Sequence, residues 1–482
     1  MLKYVREGSS RKDGGKTSEA PGRLTNSHRL AAFALMLPVS LFAFVPQSVA
    51  AATGERMSGP DAGALAEPLG GALVPWVETP SEAPIVLAQT SAGPQRGEGI
   101  EERVSRRFQP EGARSGSFLV FPSIGITGRW DDNIFSTNTN EVDDFVTLVN
   151  PALRLQSDWN NHALNFSADA EFARFSDRSR EDYQDYNVGF DSRVDVRRST
   201  NITAGAAFGV QHEQRSSPDD GGGLEPTEFA VTSAQVGVFH GFNRVSFGLN
   251  GSVSRLDFDD ARTAAGANIN NDDRDRSEYS ASLRIGLEIN PTSEAQVVGS
   301  YNQTEYDASL DDLGFNRESD GYAIQGGLVL DLTGTVFVDF LVGVFAQSFD
   351  DTGLPDVNGS TFQLGVDWNV TTLTTVTAAV SRSVEETTLT GTSGVLRTSA
   401  ALGIDHELLR NLILSADVSN VIEDFRGIAR DDRTFDFRAA AQYLIHPRFV
   451  AEFGVNMTTR DSDVAAQDFD RNRYFLRFVG RL

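Results

Sequence analysis

The 482-residue chain has no cysteine, which excludes a disulfide scaffold, cysteine-ligated metal and thiol chemistry. Lysine is confined to Lys3, Lys12 and Lys16, so apart from histidine every later basic side chain is arginine. Positive charge is scarce overall: 42 Lys+Arg stand against 67 Asp+Glu, a formal charge of −25. A phosphate backbone demands a basic face, so nucleic acid is excluded as a partner. Long apolar runs are missing too, with one exception near the N-terminus, which leaves no set of helical membrane spans. What is present is 32 Phe and 44 Gly beside only 4 Met, the composition of a β-rich chain and not of a disordered one.

The exception is residues 30–45, LAAFALMLPVSLFAFV. A basic stretch carrying Lys3, Arg6, Arg11, Lys12, Lys16, Arg23 and Arg29 precedes it, and the small residues Ser48, Ala50, Ala51 and Ala52 follow. This reads as a secretory signal peptide over 1–50, with cleavage between Ala50 and Ala51. The other reading, an uncleaved anchor, fits poorly a run that is short for a span and ends in alanines. Without cysteine there is no lipid attachment of the lipoprotein kind. An exported chain free of thiols suits the envelope of a Gram-negative bacterium, where oxidising conditions would pair them. Residues 51–117 are rich in Gly, Pro, Ala and Glu without periodicity. They are expected to form a flexible, disordered periplasmic linker with a short helix near 100–108.

From residue 118 onward apolar and polar residues alternate. Leu164, Phe166, Ala168, Ala170 and Phe172 interleave with Asn165, Ser167, Asp169 and Glu171. Tyr279, Ala281, Leu283, Ile285, Leu287 and Ile289 do the same with Ser280, Ser282, Arg284, Gly286 and Glu288. A period of two sustained over about 11–15 residues makes a long strand with one apolar and one polar face. Soluble strands average about 5–6 residues; twice that is the length a tilted strand needs to cross a bilayer. A soluble sandwich would show shorter strands and fewer acids on the second face.

Strands are expected at 118–130, 145–159, 162–175, 183–197, 201–215, 228–242, 244–258, 275–289 and 293–306. Nine more follow at 319–332, 335–349, 360–371, 374–386, 396–408, 411–425, 432–443, 448–460 and 472–482. Short turns such as Asn160-Asn161 and Thr372-Leu373 alternate with longer loops such as 216–227 and 259–274. An even number of strands with tight turns on one rim and long loops on the other is the layout of an outer-membrane barrel. The fold class is therefore all-β: a transmembrane, antiparallel, up-and-down barrel of about 18 strands over 118–482. Both ends of the barrel and the linker then lie in the periplasm. Trp130, Trp159, Tyr183, Phe258, Tyr279, Phe349, Trp368, Phe425, Tyr443 and Tyr474 fall near strand ends and are expected to form interfacial girdles. No loop is conspicuously long, so no inward-folded constriction is expected.

The last nine residues, YFLRFVGRL, alternate up to the C-terminus and resemble the signal read by barrel-assembly machinery, although they end in Leu482 and not in an aromatic residue. Arg107-Phe108-Gln109-Pro110-Glu111-Gly112 is followed by Gly116-Ser117-Phe118-Leu119-Val120-Phe121-Pro122-Ser123. Further on come Trp130-Asp131-Asp132-Asn133-Ile134-Phe135, Asp143-Asp144-Phe145 and Asn150-Pro151-Ala152-Leu153-Arg154-Leu155. Over residues 107–175 these motifs resemble the β-barrel porin 2 family of proteobacterial outer-membrane proteins; beyond them only the architecture matches. That resemblance implies an exit pore for an exopolysaccharide or capsule, working with a periplasmic polysaccharide-export protein, and it defines no catalytic residues. The alternatives are a general or substrate-specific diffusion porin and a structural barrel.

Chemistry of other kinds finds no carrier. His28, His162, His212, His240, His406 and His446 lie in no G-x-S-x-G or H-E-x-x-H context, so no enzyme, catalytic residue or cofactor is expected. The acidic stretch Asn271-Asp272-Asp273-Arg274-Asp275 lacks the turn glycine and distal glutamate of a calcium loop and reads as a solvated loop. The residues that carry specificity are then those of the polar face. With the apolar face on lipid, Arg154, Asp158, Asp169, Glu171, Arg193, Asp195, Arg284, Glu288, Asp339, Asp367, Asp417, Asp436, Arg438, Glu452 and Arg477 line the lumen. Expected partners are outer-membrane lipid, lipopolysaccharide and the barrel-assembly machinery.

Overall fold

The computed structural model describes residues 99, 100, 103 and 107–482. The expected signal segment, its cleavage point at Ala50 and Ala51, and residues 51–98 of the linker lie outside the described residues. Strands β1 to β6 are Phe118–Asp131, Asp144–Ser157, Ala163–Phe175, Tyr183–Arg197, Thr200–His212 and Glu228–Phe242. Strands β7 to β12 are Val245–Phe258, Arg276–Asn290, Ser293–Tyr306, Ser319–Asp331, Val336–Phe349 and Val357–Thr371. Strands β13 to β18 are Thr374–Glu385, Gly394–Leu409, Leu412–Arg426, Asp431–His446, Phe449–Ser462 and Phe469–Arg481.

Each strand runs antiparallel to its neighbours in sequence, and β1 pairs with β18 over 123–131 against 473–481, so the sheet closes. Closure leaves no open edge, which lipid could not hydrogen-bond. At the seam, β18 leaves the first residues of β1 uncovered, and a three-residue strand, Ala113–Ser115, pairs with them. Gly112 makes the turn into that strand: its φ is +65°, and a side chain there would strike the Phe121 ring. The stretch expected to be linker is thus built into the wall at its C-terminal end.

One rim repeats a single turn design. Arg197 pairs with Thr200, Asn290 with Ser293, Thr371 with Thr374, Leu409 with Leu412 and His446 with Phe449, each closing two residues. In every case the register shifts just before the turn, a bulge that tightens the twist. Among the described residues the other rim carries the longer connections, which include the small hairpin of Ala261–Arg262 with Asn268–Ile269. Outer-membrane barrels turn tightly on the periplasmic side and loop outward, which orients the two rims.

Opposed residues share a face, so register assigns every side chain. Asp131 opposes Asp144 and both are buried inward. The alternate positions, such as Ile124, Ile126, Leu249, Val297 and Ile324, are exposed on the outer surface, giving the apolar band a bilayer requires. Six of the ten expected girdle aromatics, Trp130, Trp159, Tyr279, Trp368, Tyr443 and Tyr474, are exposed. The other four are a correction. Tyr183, Phe258, Phe349 and Phe425 occupy inward positions, where Tyr183 donates to Glu171 and the three phenylalanines are buried. Their distance from a turn was read correctly but their parity was not.

Candidate functional site: the lumen and its two mouths

The inner wall is polar because period-two alternation leaves only polar positions there once lipid has taken the apolar ones. Arg154, Asp169, Glu171, Arg193, Asp195, Arg284 and Glu288 all occupy inward register positions. So do Asp339, Asp367, Asp417, Asp436, Arg438, Glu452 and Arg477. Asp158 lies one residue beyond β2, on the short-turn rim, where it pairs with Arg114 at 2.5 Å.

The structure joins several of these into networks. Arg284 binds Glu294 and donates to Gln296 at 2.7 Å, and Gln296 donates to Asp339 at 2.7 Å. Arg438 pairs with Glu452 at 2.7 Å, and Glu452 opposes Arg477 in the ladder. Glu171 accepts from Tyr183 at 2.6 Å and from Asn150 at 2.8 Å. Thr458 donates to Asp436 at 2.7 Å. These bonds brace charges that would otherwise sway into the lumen, so each is positioned relative to the wall.

Charge is unevenly distributed around the ring. Glu294, Asp339, Asp367, Asp405 and Asp417 stand on β9 and β11 to β15. Arg438, Arg471, Arg473, Arg477 and Arg129 stand on β16, β18 and β1. A carboxylate sector facing an arginine sector sets up a field across the lumen. Sequence reasoning had not singled out Arg129, Asp131, Asp405, Arg471 or Arg473, although their parity matches residues it did. The missing signal was the length of each strand, since the alternation was not carried to the strand ends where Arg471 meets Asp131 at 2.6 Å.

At the short-turn mouth the chain before β1 lies against the inner rim. Ile100 is buried with Ile413, Leu444 and Val450, and its N–H donates to Thr375 Oγ1 at 3.1 Å. Arg103 reaches the Thr372 carbonyl, Arg107 pairs with Glu407 at 2.9 Å, and Arg481 donates to the Phe108 carbonyl at 3.2 Å. Ile100, Arg103 and Arg107 are helical, within the expected short helix.

At the long-loop mouth the loops fold inward, against the expectation from their lengths. The loop after β5 is held at its base by Arg274, which grips Glu213 through two bonds of 2.7 and 2.9 Å, and by Arg215, which grips Glu181 at 2.8 and 2.9 Å. Its tip places Asp219 against Thr387 Oγ1 at 2.8 Å and the Thr388 N–H at 3.3 Å. Burial raises the Asp219 carboxyl above the usual carboxylate range, and nearby Glu213 raises it further while Arg274 opposes both. Arg317, from the loop after β9, pairs with Asp311 at 2.7 Å and donates to the carbonyls of Thr387, Thr388, Leu389 and Thr392. Arg274, expected in a solvated acidic loop, is buried with its guanidinium over the Phe258 ring. Loop length had suggested nothing of the kind, because the loops reach inward together.

No curated protein matches the chain in sequence. Among solved structures it is similar to OpdL from Pseudomonas aeruginosa, with 12% identity over 76% of this chain and 100% of that one, TM-score 0.40. It is similar to a BenF-like porin from Pseudomonas fluorescens Pf-5, with 10% identity over 75% and 99% of the two chains, TM-score 0.42. It is also similar to the siderophore receptor PiuA from Acinetobacter baumannii, with 11% identity over 77% and 82%, TM-score 0.41. Likenesses at that level carry no argument about this chain's function. The family model described as "Putative beta-barrel porin 2" matches residues 106–481, from the segment docked at the short-turn mouth to the last strand. A closed barrel with an apolar exterior, a charged interior and that match belongs to the outer membrane, and the chain is a member of the beta-barrel porin 2 family.

Proposed function

We propose that the barrel is a water-filled passage for polar solutes across the outer membrane. The charged inner wall carries this reading: a ring of eighteen strands is wide enough for an aqueous bore, and fixed carboxylate and arginine sectors keep such a bore hydrated and give it a field that acts on passing solutes. Refolded protein in planar bilayers is expected to give stable single-channel steps. Absence of conductance under all voltages would remove the reading.

An exit conduit for an exopolysaccharide is the second reading. It is supported by the docking of Ile100, Arg103 and Arg107 at the periplasmic mouth, the rim where a periplasmic export protein would meet the pore. Deleting 51–98 would then weaken association with such a partner while leaving conductance in place. Insertion through the barrel-assembly machinery and contact with lipopolysaccharide belong to both readings, as does export by a cleaved signal at Ala50.

A further inference from the structure

We infer that the loops after β5, β9 and β13, latched to the wall by Arg460, form a lid across the axis of the extracellular mouth that admits small polar solutes and excludes polymer chains. This rests on the passage proposed above and names the size class it serves.

The position of the anchors around the ring carries the inference. The loop at 213–227 leaves between β5 and β6, and Asp219 at its tip meets Thr387 and Thr388, in the loop between β13 and β14. In a ring of eighteen strands those two connections are eight strands apart, close to diametrically opposite. Residues so placed can touch only over the lumen. Arg317 comes from the connection between β9 and β10, midway around that arc, and binds four carbonyls of the same opposite loop. Arg460, at an inward position on β17, donates to the Ser216 carbonyl at 2.7 Å from the remaining quarter. Three connections spaced four strands apart, with Arg460 reaching in from the arc between the third and the first, therefore bind one another over the lumen.

The wall is shaped to allow this. Pairing of β12 with β13 stops at Phe362 opposite Arg382, so the upper end of β13 leaves its neighbour. Val384 then packs beside Phe345, Phe349 and Val357, which are inward residues. The loop that follows is directed inward with Thr387, Thr392 and Ser393 buried. Arg460 stacks over Phe469 at 5.1 Å, which aims its guanidinium across the lumen. It is a positioning residue: it touches the lid and not the solute.

The test compares the full chain with Arg460→Ala, Thr387→Val and a loop variant lacking residues 216–223, using single-channel conductance and swelling of proteoliposomes in glucose, sucrose and maltoheptaose. The native form is expected to admit glucose and exclude maltoheptaose. Arg460→Ala and the loop variant are expected to raise conductance roughly twofold and to admit the heptasaccharide. Because the chain has no cysteine, Asp219→Cys with Thr387→Cys, bridged by a short bismaleimide, is expected to hold the low-conductance state in the Arg460→Ala background. A silent native channel opened by the loop variant would overturn the size class, because the loops would then close the mouth to small solutes as well. Equal, non-zero conductance and equal size limits in all forms would overturn the lid and leave the passage standing. Silence in all forms, with folded barrels confirmed by heat-modifiable migration, would overturn both.

Discussion

Glu386 sits where β13 ends and its loop turns inward. Ser319 donates to its carboxylate at 3.1 Å, Thr304 at 3.3 Å and Tyr306 at 3.5 Å. Burial pushes this carboxyl up to about 7; Glu278 adds to the rise, while Arg276 and the Ser319 and Thr304 hydroxyls oppose it. The folded state therefore holds this proton more tightly than the unfolded chain. Stability from this group is present at low pH and is lost as pH rises through about 7, by roughly 1–3 kcal/mol. Arg317, the Asp311 beside it and the Arg276–Glu278 pair also face this corner, so only the part of the pH profile that Glu386→Gln removes belongs to Glu386. Thermal midpoints between about pH 5 and 8 should fall with rising pH in the native chain and fall less steeply in the variant. Parallel profiles would show that the group does not titrate there.

Among the elements, the loop after β5 depends on buried ion pairs, and breaking one differs from replacing both partners. Glu213 and Arg274 are each less than a tenth exposed. Glu213→Gln leaves a buried guanidinium without its charge partner, a loss of about 3–5 kcal/mol for the loop's folded position. Replacing the pair with Glu213→Gln and Arg274→Met should recover much of it. The measurement is trypsin cleavage after Arg215 in intact proteoliposomes: fast in the single variant, slow in the double variant and the native chain. Strand ladders do not pass through this pair, so the barrel's own melting should not move by more than about 1 kcal/mol in either. The seam is a second element-level device. The strand Ala113–Ser115 completes an edge that β18 is too short to cover, so removal of residues 99–115 should lower the melting point of the barrel, which the loop variants should leave unchanged.

At the scale of the whole molecule the arginine and carboxylate sectors act together. Carboxylates predominate along β9 to β15, and the arginines of β16, β18 and β1 face them. A channel with this balance is expected to show a weak preference for cations over anions, read as a small reversal potential in a salt gradient. The preference should shrink as ionic strength rises and the Debye length falls below the bore radius. Asp367→Asn with Asp417→Asn should shift the reversal potential toward anions, and strong anion selectivity in the native chain would contradict the assignment of these residues to the pathway. The same large-scale view explains what loop length could not: no single connection spans the mouth, but three of moderate length, spaced around a closed ring, meet above its axis.

Much of this was legible in the residues. Period-two runs such as Leu164–Phe172 against Asn165–Glu171 determine strand type, length and the two faces, because a strand side chain has only two directions to point. Eighteen strands, none displaced by more than three residues at either end, follow from that and from the tight turns between them. The motif around Arg107 and Phe118 marked the family. Parity at strand ends was harder, and Phe258, Phe349 and Phe425 were placed outside when they lie within, since near a rim either face can carry an aromatic residue. Contacts between residues far apart in the chain were not legible at all. Arg460 meets Ser216, and Asp219 meets Thr387, only because closure brings opposite sides of the ring within reach of one another. Periodicity is a local property and determined the wall; the mouth depends on which loops face each other, and only the closed tertiary structure decides that.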